Sequence, residues 1–174
     1  MNALTHTANH DNDGNQEESG MTLIADGHEG LDGELLGSLA GRAARGSLEE
    51  GDLRDSLRLF CMVCNRVDEL RFELRDLTQS YQFEIGDRRG GAVFTRGACS
   101  VYEGRMDSPD VTLCMDAAIV LDLLTCRANS AAAHMNGDIK YRGTKNGALR
   151  LQTAFELFLD VLDAHAGQDR PDSE

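Results

Sequence analysis

Residues 109–124 read Pro109-Asp-Val-Thr-Leu-Cys-Met-Asp116 and then Ala117-Ala-Ile-Val-Leu-Asp-Leu-Leu124. Pro109 opens a run in which Val111, Leu113 and Met115 alternate with Thr112 and Cys114, the period-two pattern of a strand with one dry face. Asp116 stands where a helix N-cap belongs, and the residues after it continue as a helix to Leu124. Downstream, an Ala-rich turn from Ala131 to Met135 leads to Gly137-Asp-Ile-Lys-Tyr-Arg142, a short strand. Thr144 can cap a last helix that reaches about Ala164. In it Ala148, Leu151, Phe155, Phe158 and Leu162 form one apolar stripe, and Ala154, Leu157 and Val161 a second. Such a helix is either covered by protein on both sides or turned in part toward a non-protein apolar partner.

Upstream, Ser47 and Glu50 have capping-box spacing, and Leu53, Leu57, Phe60, Cys64 and Val67 recur at intervals of four and three. That spacing predicts an amphipathic helix over about 52–69. Two alternating runs follow: Leu70, Phe72 and Leu74 against Arg71, Glu73 and Arg75, then Tyr81, Phe83 and Ile85 against Gln82 and Glu84. As strands, each buries one face and wets the other, which an antiparallel sheet packed on helices requires. Gly86-Asp-Arg-Arg-Gly-Gly91 is a turn, and 92–103 continue as strand, with Gly97 a bulge or a break. One strand or two are both compatible with that pattern.

The 174 residues hold 17 Lys and Arg against 30 Asp and Glu, a formal net charge of −13. Length suits one domain with a tail, and 41% hydrophobic residues can build a core without disulfides or a structural metal. With 5% aromatics and no Trp, that core leans on aliphatics and Met. The acidic balance argues against nucleic acid as a partner, because phosphate binding needs a basic stripe. There is no apolar run of about 18 residues and no basic, apolar leader at the N-terminus, so a cytoplasmic location is expected. Five cysteines in a reducing compartment read as buried thiols rather than a disulfide frame. Residues 1–41 carry eight acids and no Lys or Arg. Residues 1–30 are expected to be a disordered acidic tail, in which His6, His10 and His28 share no ligand spacing and read as spacer rather than a metal site. Over 31–46, Leu31, Leu35 and Leu39 keep helical spacing while Gly33, Gly37 and Gly41 weaken it, so a weak helix or linker is expected. The folded domain is then 47–165, with a second disordered tail at 166–174.

From about 70 to 162 the chain resembles the lipid-binding domain of the sterol carrier protein type-2 family. The resembling pieces are Pro109 to Met115, the acid-led helix Asp116 to Leu124, the string AAAHMNGDIKYRG from Ala131 to Gly143, and the apolar C-terminal helix. It departs from the family at Cys126, where Gly is frequent before the Ala-rich turn, and at Val93 and Phe94, where a Trp is common. The resemblance implies an α+β fold, a mostly antiparallel five-stranded sheet covered on one face by helices and enclosing an apolar tunnel. It also implies non-catalytic binding of sterols, fatty acids, acyl-CoA esters or phospholipids. The chain ends Pro-Asp-Ser-Glu, without the peroxisomal address that some relatives carry.

Such a site asks for shape and apolarity. A sixteen-carbon chain leaving water gains about 0.8 kcal/mol per methylene, about 12 kcal/mol before ordering and association costs. The candidate lining is Phe83, Phe94, Leu113, Met115, Leu121, Leu124, Met135, Phe155, Phe158 and Leu162, although ordinary core is the stronger reading for each taken singly. For an anionic headgroup the candidates are Lys140, Arg142, Lys145 and Arg150, a local basic cluster with Asp138 the one acid, beside the start of the last helix. Edge-strand protection is the plainer use of the same charges. Cys61 and Cys64 have redox or metal spacing, yet they lie within a helix and have no second pair, so they read as buried thiols. His134, the one histidine within the folded core, with His165 at its end, reads as structural. No catalytic residue, metal or cofactor is predicted. The expected partner is a lipid or fatty acyl ligand, with transient membrane-surface contact. The alternative function is an accessory interaction or dimerisation module in lipid or quinone metabolism, which an exposed stripe over 148–162 would favour.

Overall fold

Short polar side chains at the helix starts organise the N-terminal half. A computed structural model describes residues 20–28 and 30–168. Asp32 accepts from the Leu35 amide at 3.0 Å and starts α1, Gly33–Ala44. A 3-10 turn, Glu50–Asp52, leads into α2, Leu53–Arg66. The box expected on Ser47 and Glu50 falls instead on Asp52, which accepts from the Glu49 amide at 2.9 Å and from Arg42 of α1 at 2.6 Å. The Ser47 hydroxyl donates to the Arg42 carbonyl. The helix expected over 31–46 is therefore present and docked: Leu36, Leu39, Ala40 and Ala43 are buried.

The strand expected at 70–74 is a helix, α3, Asp68–Leu74. Val67 is extended (φ −82°, ψ 124°) and ends α2, and two acids open the next helix at its positive end. Leu70, Phe72 and Leu74 alternate, but Leu70 and Leu74 are also four apart. They are buried while Phe72 is 66% exposed with the Arg75 guanidinium 4.2 Å from its ring centre. Three alternating residues satisfy both periods, and packing on the last helix decides between them.

The remaining strands are β1 (Thr22–Ala25), β2 (Gln79–Ile85), β3 (Arg88–Thr95), β4 (Ala98–Glu103), β5 (Val111–Met115) and β6 (Lys140–Gly143). They form one sheet in the order β1-β4-β3-β2-β5-β6. The β2–β5 pair is parallel and every other pair antiparallel. The sheet has six strands rather than five. Gly97 is a break: Arg96 (φ 50°) and Gly97 (φ 84°) make the two-residue turn between β3 and β4, and a Cβ on Gly97 would lie 2.9 Å from the Arg75 Cα. The sixth strand, β1, lies inside the segment expected to be disordered. Its four residues cannot fold alone, but the free edge of β4 supplies the hydrogen bonds that order them, and Ala25 is buried. Residues 1–19, 29 and 169–174, with most of both expected tails and His6 and His10, lie outside the described residues.

Helices α4 (Ala117–Leu124), α5 (Ser130–Asn136) and α6 (Lys145–Gln168) complete the fold. The Ala-rich stretch is a helix rather than a turn, because Asn129 accepts from the Ala132 amide at 3.1 Å and caps it. The two stripes of α6 are explained by packing. Helix α6 packs against α1, α2 and α3, with Phe158 edge-on to Phe60 of α2 at 5.5 Å.

Candidate functional site

The inner face of the sheet is divided along the strands. At the start of β2, Tyr81 is fully buried and meets Phe94 of β3 edge-to-face at 5.8 Å, with Val101 and Val111 also at 0% exposure. Burial leaves the Tyr81 phenol few ways to carry charge and pushes it up to about 12, while its hydroxyl donates to the Gly147 carbonyl at 3.0 Å. Two residues on, Phe83 and Ile85, and their β5 neighbours Leu113 and Met115, are only half-buried. The helices stand away from the sheet there. A cavity of about 420 Å³ fills the gap, bounded by these four side chains, by Leu53, Leu57 and Phe60 of α2, by Leu123 and Leu124 of α4, and by Phe155 and Phe158 of α6. That volume falls among small-molecule sites, which run to about 300–1,000 Å³ and are mostly apolar.

Polar groups stand at the margins. Arg54, paired with Glu103 at 3.6 Å, together with Arg88 and Arg89, borders the end where β2 turns into β3. His134, Tyr141 and Lys145 border the end beneath α5 and β6. The His134 ring stacks on Tyr141 at 5.1 Å with its Nδ1 3.3 Å from the Ile139 carbonyl oxygen, so it braces the α5–β6 corner.

Of the ten candidate lining residues, Phe83, Leu113, Met115, Leu124, Phe155 and Phe158 border this cavity. Phe94 and Leu162 belong to packed core at 1% and 4% exposure. Leu121 is half-buried against that core, and Met135 is 86% exposed. These four share the apolarity of the residues that border the cavity but are not among them. Of the basic candidates, only Lys145 borders the cavity. Arg150 is spent on structure: it pairs with Asp76 at 2.7 Å and donates to the Glu73 carbonyl at 2.8 Å, which pins α3 to α6 and holds the Asp76 carboxyl below its usual range. Arg142 reaches back to Glu84 at 3.4 Å on the outer face of the sheet, and Lys140 is exposed. Glu84 also accepts from the Cys114 thiol at 3.0 Å, which lowers the carboxyl, while burial pushes the thiol up.

The α2 side of the wall was missed, although Leu53, Leu57 and Phe60 had already marked that helix's dry stripe. Cys61 and Cys64 are fully buried beside Cys99, and the Cys61 thiol donates to the Cys99 carbonyl at 3.3 Å. All five cysteines are free, but Cys126 is exposed and Cys114 half-buried, so the expectation of buried thiols fails at these two, which lie at a helix end and on the outer sheet face. Among the described residues no three His, Cys, Asp or Glu side chains are placed to hold a metal ion. No helix among them is long and apolar enough to cross a membrane.

A mostly antiparallel sheet, backed by helices and opening on its dry face into an apolar chamber, defines an α+β protein built around a cavity. The chain belongs to the SCP-2 sterol transfer family, which it matches over residues 63–156, just over half its length. The crystal structure of a sterol carrier protein 2 shares this fold with TM-score 0.51 and 18% identity, over 62% of this chain and 93% of that one. Sterol Carrier Protein 2 Like 2 from Aedes aegypti is similar with TM-score 0.50 and 19% identity, over 59% and 95%. At these identities the likeness is one of fold. The inverting sec-alkylsulfatase Pisa1 from Pseudomonas sp. also has a similar part (TM-score 0.47, 15% identity), but the match covers 64% of this chain and only 16% of the length of that enzyme. No curated protein sequence matches the chain.

Proposed function

We propose that this protein binds an apolar ligand in its cavity and carries or presents it without changing it. The ligand class is a fatty acid, a fatty acyl-CoA, a sterol-like lipid or a phospholipid. The observation that carries this reading is the half-buried apolar wall of Phe83, Leu113, Met115 and Phe155 around about 420 Å³. A packed core would have closed on itself, since unfilled space beside large apolar side chains forfeits dispersion contacts. Membership in the sterol transfer family supports the same reading. Lys145 at the cavity margin suits an acidic headgroup. Five free cysteines suit a reducing compartment and support a cytoplasmic site of action. The observation that would favour an interaction module, an apolar stripe left bare over 148–162, is not made: α1 covers α6, and Leu149 is the one large apolar side chain of that span among the exposed ones.

Native mass spectrometry of the purified protein, followed by solvent extraction and lipid analysis, tests the proposal. The expected result is a near-stoichiometric lipid that is lost in Leu113→Asp and Phe155→Asp variants that stay folded. An empty monomer that takes up no fluorescent fatty acid would overturn it, and an empty stable dimer would transfer the assignment to the interaction module.

A further inference from the structure

The charges at the cavity's rim run against the rest of the molecule. The chain as a whole is at −13, yet Arg54, Arg88, Arg89 and Lys145 border the cavity, and Glu103 is the one acid among the described residues that do. Part of that charge is already spent. Arg54 pairs with Glu103 at 3.6 Å, and Arg89 lies 4.0 Å from Glu84 and donates to the Gly86 and Arg88 carbonyls at 2.8 and 2.9 Å. Arg88 and Lys145 remain, both exposed and neither with an ion pair or side-chain hydrogen bond among the described residues. Asp87 in the hairpin turn and Asp138 before β6 do not border the cavity, and Glu156 is occupied by the Ser130 hydroxyl and the Gln152 amide at 3.0 Å each.

The two unspent cations stand at opposite ends. Arg88 is the register partner of Ile85, at the end where β2 turns into β3. Lys145 borders the end beneath α5 and β6 together with Tyr141, whose hydroxyl makes no hydrogen bond among the described residues. Between them the wall is apolar, with Phe83, Leu113 and Met115 on the sheet and Phe155 on α6. The sheet itself measures the span. Strands β3, β2, β5 and β6 are successive neighbours, Ile85 pairs with Met115, and Tyr141 pairs with Leu113, two residues away along β5. Three strand spacings and that offset put Arg88 and Tyr141 about 16 Å apart. At about 1.2 Å per bond of extended chain, an aliphatic chain of about 12–16 carbons bridges the ends.

We propose that the cavity takes a chain that is anionic at both ends, an α,ω-dicarboxylate of about 12–16 carbons, with one carboxylate on Arg88 and the other on Lys145 and the Tyr141 hydroxyl. This rests on the carrier reading above and names its ligand class. Arg88 can meet a carboxylate with two parallel N–H donors, and Lys145 acts as a point charge assisted by the phenol. A fatty acid with one carboxylate leaves one of these cations unused and brings its methyl end to a mouth that is open to water, where Leu149 of the wall is 51% exposed. A dicarboxylate keeps both ends wet and dries only its methylenes, which matches a chamber that is apolar in the middle and basic at its two ends.

Isothermal titration calorimetry with tetradecanedioic and tetradecanoic acids tests this on the delipidated parent, Arg88→Gln, Lys145→Gln and the double variant. Both positions are exposed, and a common urea midpoint checks that the variants stay folded. An ion pair at an exposed rim contributes up to about fivefold in affinity. The dicarboxylate should therefore lose about fivefold in each single variant and about twenty-fivefold in the double one. The monocarboxylate can turn end for end, so it should lose only about twofold in each single variant and about fivefold in the double one. Decanedioic acid, too short to reach both ends, should respond to the substitutions as the monocarboxylate does. Equal losses for the two long ligands would overturn the proposal, as would a ten-carbon diacid that responds as the long one does, because a general attraction of dianions has no length requirement. A parent that binds neither long acid but copurifies with another lipid would overturn this proposal and keep the carrier reading. A folded parent that is empty as purified and binds neither would overturn the carrier reading itself.

Discussion

Helices α4 and α5 end in the same motif with different residues at its critical position. After α4, the Cys126 amide donates to the Leu123 carbonyl at 3.1 Å and the Arg127 amide to the Asp122 carbonyl at 2.8 Å, the paired bonds of a Schellman stop. After α5, the Gly137 amide donates to the His134 carbonyl at 3.1 Å and the Asp138 amide to the Ala133 carbonyl at 2.9 Å. Both motifs need a left-handed residue: Gly137 has φ 82°, and Cys126 has φ 54°. A residue with a Cβ in that region costs about 1–2 kcal/mol. Glycine avoids this but loses about 0.5–1 kcal/mol more backbone entropy on folding. Cys126 is exposed and free, so its thiol contributes little packing. Cys126→Gly should therefore stabilise the fold by about 0.5–1 kcal/mol, which at this chain length raises Tm by about 1–4 °C. Cys126→Ala, which removes the thiol and keeps the Cβ, should stay within about 0.5 kcal/mol of the parent. Urea denaturation of the three proteins with a common m-value is the assay. A glycine variant no more stable than the alanine one would refute the reasoning, because conformational strain at this position would then be absent.

Gln82 is 2% exposed and spans the outer sheet face: its amide donates to the Gly90 and Gly104 carbonyls at 2.6 and 3.1 Å, and its oxygen accepts from the Met106 amide at 2.6 Å. Gln82→Leu leaves these backbone groups unpaired and should cost about 2–4 kcal/mol, read as a fall in the urea midpoint. Tyr81 has its pKa raised by burial from the ordinary 10.0 to about 12, so the unfolded chain loses the proton first as pH rises. Its contribution to stability is complete below pH 10 and disappears as pH climbs to about 12, and the denaturant midpoint of Tyr81→Phe should fall less steeply over that window. Equal slopes for parent and variant would contradict the assignment.

Much of this molecule is legible in one dimension. The strands around Tyr81 to Ile85 and Val111 to Met115, the helix from Leu53, and the long C-terminal helix all follow from periodicity, because each of these elements has one dry face whose spacing its backbone geometry dictates. The family was legible in the order of those elements. Local pattern decided less where it was short or where a partner was needed. Leu70 to Leu74 fit both periods until α6 and the Arg150–Asp76 pair held them as a helix. Thr22 to Ala25 carry too little apolar surface to order alone and become a strand only because β4 offers an edge. The cavity is the clearest case. Phe94 and Phe83 alternate in the same way on adjacent strands, and Leu162 lies two turns beyond Phe155 on one stripe, yet Phe83 and Phe155 are half-buried against the chamber while Phe94 and Leu162 are closed core. Periodicity reports which face of an element is dry, through the cost of wetting it. Whether that dry face meets another side chain or an open space depends on how far the opposite layer stands off, and only the packing of the helices over the whole sheet determines that distance.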